Sequence, residues 1–134
     1  FTPELLSNAI ESRAHKLESV VVINNADGSY EVKPLPKEVQ YSPVFAIGAD
    51  DYDHDGVQEF FMGGNFSGVK PEEGRYDANP GLLIGVENDD FVVRDRTGLR
   101  INGEVRGIGT LRTVNGKKLL IVAKNDDEPE IYEY

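Results

Sequence analysis

The chain matches itself when it is shifted by 61 residues. In that register Val21, Val22 and Ile23 fall on Leu82, Leu83 and Ile84, Tyr30 falls on Phe91, and Val32 on Val93. Val44, Ile47 and Gly48 fall on Val105, Ile108 and Gly109. After a one-residue deletion Gly56 meets Gly116, Phe60-Phe61-Met62 meets Leu120-Ile121-Val122, and Asn65 meets Asn125. A constant offset over so many apolar positions implies two versions of one structural unit, and this constrains the fold more than any single segment does.

Each copy reads as four short strands. In the first they lie over 19–24, 29–34, 43–48 and 58–63; in the second over 81–86, 90–95, 104–110 and 118–123. Turn chemistry separates them at NNADGS (24–29), ENDD (87–90) and VNGK (114–117). EIYEY at 130–134 reads as the first strand of a third copy. The strands around Phe60-Phe61-Met62 and Leu119-Leu120-Ile121-Val122 are continuously apolar, which predicts burial of both faces. The fold class is therefore all-β, with four-stranded antiparallel blades of the propeller type, two plus a terminal strand; a β-sandwich of eight or nine strands is the alternative. Two blades cannot close a propeller, for which about four is the minimum.

The division that follows is a single β domain over 1–134. It has an N-terminal segment 1–18, a first blade 19–65, a long loop 66–80, a second blade 81–125 and a terminal strand 126–134. Thr2 as N-cap, Pro3 at the first helical position and Glu4 in the first turn predict a short N-terminal helix over 3–12. Leu5, Leu6, Ala9 and Ile10 follow at helical spacing.

Composition narrows the function. A formal net charge of −10 repels nucleic acid and anionic lipid, so no nucleic-acid partner is expected. No apolar run approaches the roughly 18 residues of a membrane span, so no membrane insertion is expected. The absence of cysteine excludes disulfides, thiolate metal sites and cysteine nucleophiles. The chain starts at Phe1 and so reads as a processed or excised segment.

An acidic surface suits cations, and DYDHDGVQE at 51–59 concentrates that acidity. Counting from Asp51, side-chain oxygens fall at positions 1, 3, 5 and 9, on Asp51, Asp53, Asp55 and Glu59, with Gly56 at the turn. Hard oxygen ligands at alternate positions around a glycine are what Ca²⁺ requires, and the Val57 carbonyl would add another. An EF-hand needs Glu at position 12, where this chain has Met62 inside an apolar strand. A solvated acidic turn is the bland alternative, but four like charges in nine residues repel, and a turn needing only polarity would mix Asn, Ser and Gly. His54, at an even position, should point away from the ion. The second copy has TLRTVNG at the aligned place, without a carboxylate, so the unit does not need the metal for its shape.

The segment from Ile47 to Gly64 resembles the FG-GAP or VCBS-type repeat of integrin-α-like β-propellers, a D-x-D-x-D-G-x-x-D loop followed by an apolar strand and glycine. Asp51, Asp53, Asp55 and Gly56 match, and Glu59 stands for the usual last Asp. PLPKEVQYSPV and GGNFSGVKPEEGRYDANPG are similar to the C-terminal part of large VCBS-repeat proteins of bacterial surfaces. The resemblance implies an extracytoplasmic location (periplasmic, outer surface or secreted), a propeller of several blades, structural calcium, and binding in place of catalysis.

The loop 66–80 is the candidate ligand surface, with Phe66, Lys70, Arg75, Tyr76 and Asp77 as its contact residues. Its alternative reading is an Arg75–Asp77 pair with Tyr76 packed over a neighbour. Glu72-Glu73 are adjacent residues, which rarely aim at one glycosidic bond. Asn65-Phe66-Ser67 is a glycosylation sequon, relevant in a eukaryotic secreted protein. The expected function is a calcium-stabilised, non-catalytic domain of a secreted or cell-surface protein that binds protein or glycan. Its further partners would be remaining blades of a longer chain, or other copies of itself. The alternative is one part of a polysaccharide-active enzyme built on a larger propeller, which convergent carboxylates around loop 66–80 would favour.

Overall fold

The computed structural model describes residues 9–94 and 98–134. Nine strands run through them: β1 Val20–Asn24, β2 Tyr30–Pro34, β3 Val44–Asp50, β4 Glu59–Gly64, β5 Leu82–Glu87, β6 Asp90–Val93, β7 Glu104–Arg112, β8 Lys118–Asn125 and β9 Glu130–Glu133. One 3-10 turn spans Lys37–Gln40. Every strand pair is antiparallel, so the protein is all-β with antiparallel sheets. The helix predicted over 3–12 lies mostly outside the described residues. The part that is described, 9–12, is exposed and not helical. Ile10 is 93 % exposed, so its apolar side finds nothing to bury against, and so short a helix does not hold alone in water.

The strands group out of phase with the sequence repeat. β1 and β2 form a two-stranded sheet, β3-β4-β5-β6 a four-stranded one and β7-β8-β9 a three-stranded one. The predicted blades 19–65 and 81–125 each contain four strands, but hydrogen bonding joins the second half of one copy to the first half of the next. The link is β4 to β5, where Phe60, Phe61 and Met62 pair with Ile84, Leu83 and Leu82 across the loop 66–80. The terminal strand obeys the same rule, since β9 pairs with β8. Turns close the hairpins as their residues require. Asn88 and Asp89 both take positive φ between β5 and β6, and Gly116 does so between β7 and β8.

The repeat is nonetheless physical. Ladder shifts occur between Val44 and Ala46 in β3 and between Val105 and Gly107 in β7, at equivalent places. The two bulged residues touch, with the Arg106 guanidinium 4.3 Å from the centre of the Phe45 ring.

Two apolar clusters lie on either side of the central sheet. On one side Ala46, Phe61 and Leu83 pack with Val105, Leu120, Val122 and Ile101. On the other Met62, Leu82 and Ile84 pack with Leu35, Val39 and Val21. β4 is thus buried on both faces, as its unbroken apolar run predicts. β8 is not: Leu120 and Val122 are buried, while Leu119 and Ile121 on the opposite face are partly exposed, because no sheet among the described residues lies beyond them. The close contact between the sheets runs over Gly48. A Cβ there would lie 2.8 Å from the Tyr52 hydroxyl and closer still to the Ile108 side chain.

Candidate metal centre

The loop between β3 and β4 is shaped by its own carboxylates. Asp53 Oδ1 accepts from the Asp55 N–H at 3.2 Å, Asp55 Oδ1 from the Val57 N–H at 2.7 Å, and Asp51 Oδ2 from the Gly56 N–H at 3.2 Å. These bonds curl the chain, and positive φ at His54 (63°) and Gly56 (89°) completes the turn. The result brings one oxygen from each of Asp51, Asp53, Asp55 and Glu59 within 4.8 Å of the others. Val57, the fifth predicted ligand, sits in the same turn with an exposed side chain.

Glu59 is the anomaly of the group. It opens β4 and is 0 % exposed. Its Oε2 accepts from the Tyr52 N–H at 2.8 Å, but its Oε1 is buried and unpartnered. Asp51 Oδ1 is in the same condition. Burial, partly opposed by the Tyr52 hydrogen bond and reinforced by the charges of Asp53, Asp55 and Asp51, holds the Glu59 carboxyl above its ordinary range. Buried carboxylate oxygens normally find donors, and orphaned ones cost roughly 1–3 kcal/mol each, more when charged. Two such oxygens beside two more carboxylates fit a bound divalent cation.

The loop is braced from the third sheet by residues that local sequence could not indicate. Lys118 Nζ at the start of β8 lies 2.5 Å from Asp50 Oδ1 and 3.5 Å from the Asp51 carbonyl. The Tyr134 hydroxyl donates to Asp50 Oδ2 at 2.6 Å. These two partners hold Asp50 down at about 2, the Lys118 bond being the stronger influence. His54 does turn outward from the carboxylates, stacking on Tyr134 with ring centres 6.1 Å apart. Tyr52 is buried beneath, its phenol pushed up to about 12 by burial and then by Asp50 and Glu59. In the third sheet the aligned turn is short, closed by Thr113 and Lys117, and carries no carboxylate.

The predicted ligand residues lie away from this loop, at the other end of β4. Phe66 and Tyr76 bridge the neck of loop 66–80, with backbone hydrogen bonds of 2.8 and 3.0 Å, and their side chains are 37 % and 43 % exposed. Lys70, Arg75 and Asp77 are exposed, and among the described residues no ion pair joins Arg75 to Asp77. The neck is held by Asn65, 4 % exposed, which sequence reasoning met only as a repeat match and a sequon. Its Oδ1 accepts from Ser42 and from the Asn79 N–H, and its Nδ2 donates to the Asn79 and Gly103 carbonyls. A side chain so enclosed is no glycan acceptor. No protein-family model matches the chain, and neither a curated protein nor a solved structure is recovered as similar to it.

Proposed function

We propose that this chain is a calcium-stabilised, non-catalytic binding module of a secreted or cell-surface protein, built as part of a β-propeller of FG-GAP or VCBS type. The observation that carries the metal reading is the pair of buried, unpartnered carboxylate oxygens on Glu59 and Asp51, inside a cluster of four carboxylates. Asp51, Asp53, Asp55 and Glu59, with the Val57 carbonyl, would hold the ion. Four carboxylates and a carbonyl favour Ca²⁺ over Mg²⁺, which keeps more of its water. The ion would cancel the mutual repulsion and fix the loop against Lys118 and Tyr134. Extracellular calcium modules bind at roughly 10⁻⁴–10⁻³ M, which fits an extracytoplasmic setting.

The propeller reading is supported by sheets stacked face to face with bulges in matching places. It implies partners that cover the ends of the stack, either remaining blades or other copies. The ligand reading is supported by the exposed aromatic pair Phe66 and Tyr76 on a loop whose neck Asn65 fixes. Such a surface suits a protein or glycan. Among the described residues the carboxylates converge at 51–59 and not around loop 66–80, which favours binding over glycoside cleavage.

The test is thermal unfolding in millimolar Ca²⁺, in Mg²⁺ and in chelator, for the native chain and Asp53→Ala. A calcium-specific rise in melting temperature that the variant loses supports the reading. The absence of any ion-dependent shift would reduce DYDHDGVQE to a solvated acidic turn.

A further inference from the structure

The β7-β8-β9 sheet buries one face and, among the described residues, bares the other. Cross-strand partners share a face. Ile108 with Val122 and Leu120 with Tyr132 look inward, while Leu111 with Leu119 and Ile121 with Ile131 look outward. Leu111 is 51 % exposed and Ile131 60 %. Gly109 lies between them, and a Cβ built on it would meet nothing within 4 Å. Apolar faces of this kind on a soluble domain mark interaction sites.

The internal repeat says what belongs there. The Phe61–Leu83 pair of the central sheet corresponds to the Ile121–Ile131 pair, and Gly48 corresponds to Gly109. In the central sheet these positions are covered by the next sheet of the same kind, with Ile108 seated over Gly48. The other end of the stack is bare in the complementary sense. β1 and β2 turn Val21 into the core and present Val22, Val32 and Tyr30 outward, at 58 %, 49 % and 69 % exposure. By cross-strand pairing Val22 and Val32 take the places of Ile84 and Val93, one residue on from the sequence register in β1, and Ile84 and Val93 lie on the side of the central sheet that β1 covers. The two bare ends therefore relate to each other as the two sides of an internal sheet contact.

We propose that the β7-β8-β9 face is covered by a second copy of this chain, docked head to tail through its β1-β2 face, so that Val22 of one copy meets Ile131 of the next. This rests on the repeating-sheet part of the function proposed above and not on the metal. The charge pattern agrees. The chain carries −10, yet Leu111, Leu119, Ile121, Ile131 and Gly109 form an uncharged stretch of this face, and Glu133, opposite Leu119, is the charge beside it. At its rim Lys117 and Glu133 pair at 2.8 Å. A contact between two different faces is not satisfied within a dimer, so it builds rings or filaments.

The test is sedimentation velocity of the full chain over increasing concentration, with Ile131→Glu and Val22→Glu. Both positions are exposed, so circular dichroism and melting should confirm that the variants fold as the native chain does. The native chain should rise above its monomer mass of 14.8 kDa, each variant alone should stay monomeric, and an equal mixture of the two should form dimers and nothing larger. In that mixture one variant keeps an intact β1-β2 face and the other an intact β7-β8-β9 face. A native chain that stays monomeric overturns the proposal, as does a Val22→Glu variant that still dimerises, which would mean pairing of like faces. Calcium binding is read on the monomeric variants, so a failure of assembly and a failure of the metal reading appear separately.

Discussion

Replacing Glu59 by Gln should have opposite effects with and without calcium. Gln keeps the shape and the oxygen that accepts from the Tyr52 N–H, but it removes one buried negative charge from a cluster whose oxygens lie within 4.8 Å of one another. At that distance a pair of like charges repels by about 1 kcal/mol in bulk water and about 3.5 kcal/mol at an effective dielectric of 20. Asp53 and Asp55 are exposed, so their share belongs near the lower figure, and Asp51 is partly buried. Glu59 also relieves part of the strain by holding its proton more tightly. A net gain of about 1–3 kcal/mol at neutral pH in chelator is expected, or roughly 4–11 °C in melting temperature for a domain of this size. In saturating Ca²⁺ the same change removes a charged ligand, so the variant should melt below the native chain. The assay is thermal unfolding by circular dichroism in chelator and in millimolar Ca²⁺. Equal destabilisation in both media would refute the argument, because Glu59 would then be a structural acceptor with no ion to serve.

Gly48→Val should cost about 1–3 kcal/mol by forcing the second and third sheets apart at Ile108 and Tyr52, and Ile108→Ala in the same chain should recover part of it in denaturant titrations. Asn65→Ala should cost about 2–4 kcal/mol, since it strands backbone groups of Asn79 and Gly103 and leaves the Ser42 hydroxyl only the Tyr76 carbonyl, and hydrogen exchange should show loop 66–80 opening first. Acid should loosen β9 through Lys124, whose ammonium is gripped by Asp127 and Glu130 at 2.7 Å each. Both carboxyls are held below their ordinary values, first of all by the Lys124 hydrogen bond. Their contribution is therefore complete above the unfolded carboxylate range, near pH 4, and is lost as pH falls through the lowered folded values. Exchange protection in 130–133 should drop in that window, and in Lys124→Met it should be low at every pH.

Strand positions were legible because they are local: short apolar or alternating stretches are separated by Gly, Asn and Asp turns, and each described strand overlaps one of them. Which strands pair was not legible. Phe60-Phe61-Met62 says that it is buried on both faces but not that Leu82-Leu83-Ile84, across a long loop, is its neighbour. The apolar run of β8 misled for a related reason, since it records a face that stands bare among the described residues. The acidic loop was legible because all four carboxylates lie within nine residues. Its braces were not, because Lys118 and Tyr134 are brought to Asp50 by the stacking of sheets and by no sequence spacing. Asn65 shows an intermediate case: its recurrence as Asn125 marked the position, but only the fold reveals a side chain tying four groups together.

The phase difference between the repeat and the sheets bears on how such a chain can be lengthened or divided. A duplication at the sequence boundary near residue 80 would insert its new joint through the middle of the central sheet, between β4 and β5. Each half made by cutting there keeps only two strands of the central sheet, so each would have to borrow strands from elsewhere to complete it. A cut between β6 and β7 severs no strand ladder, although it still parts two packed faces. The hereditary unit and the folding unit are thus displaced by two strands, and the displacement acts as a stitch. Each new copy added in sequence must complete its predecessor before it can begin a sheet of its own.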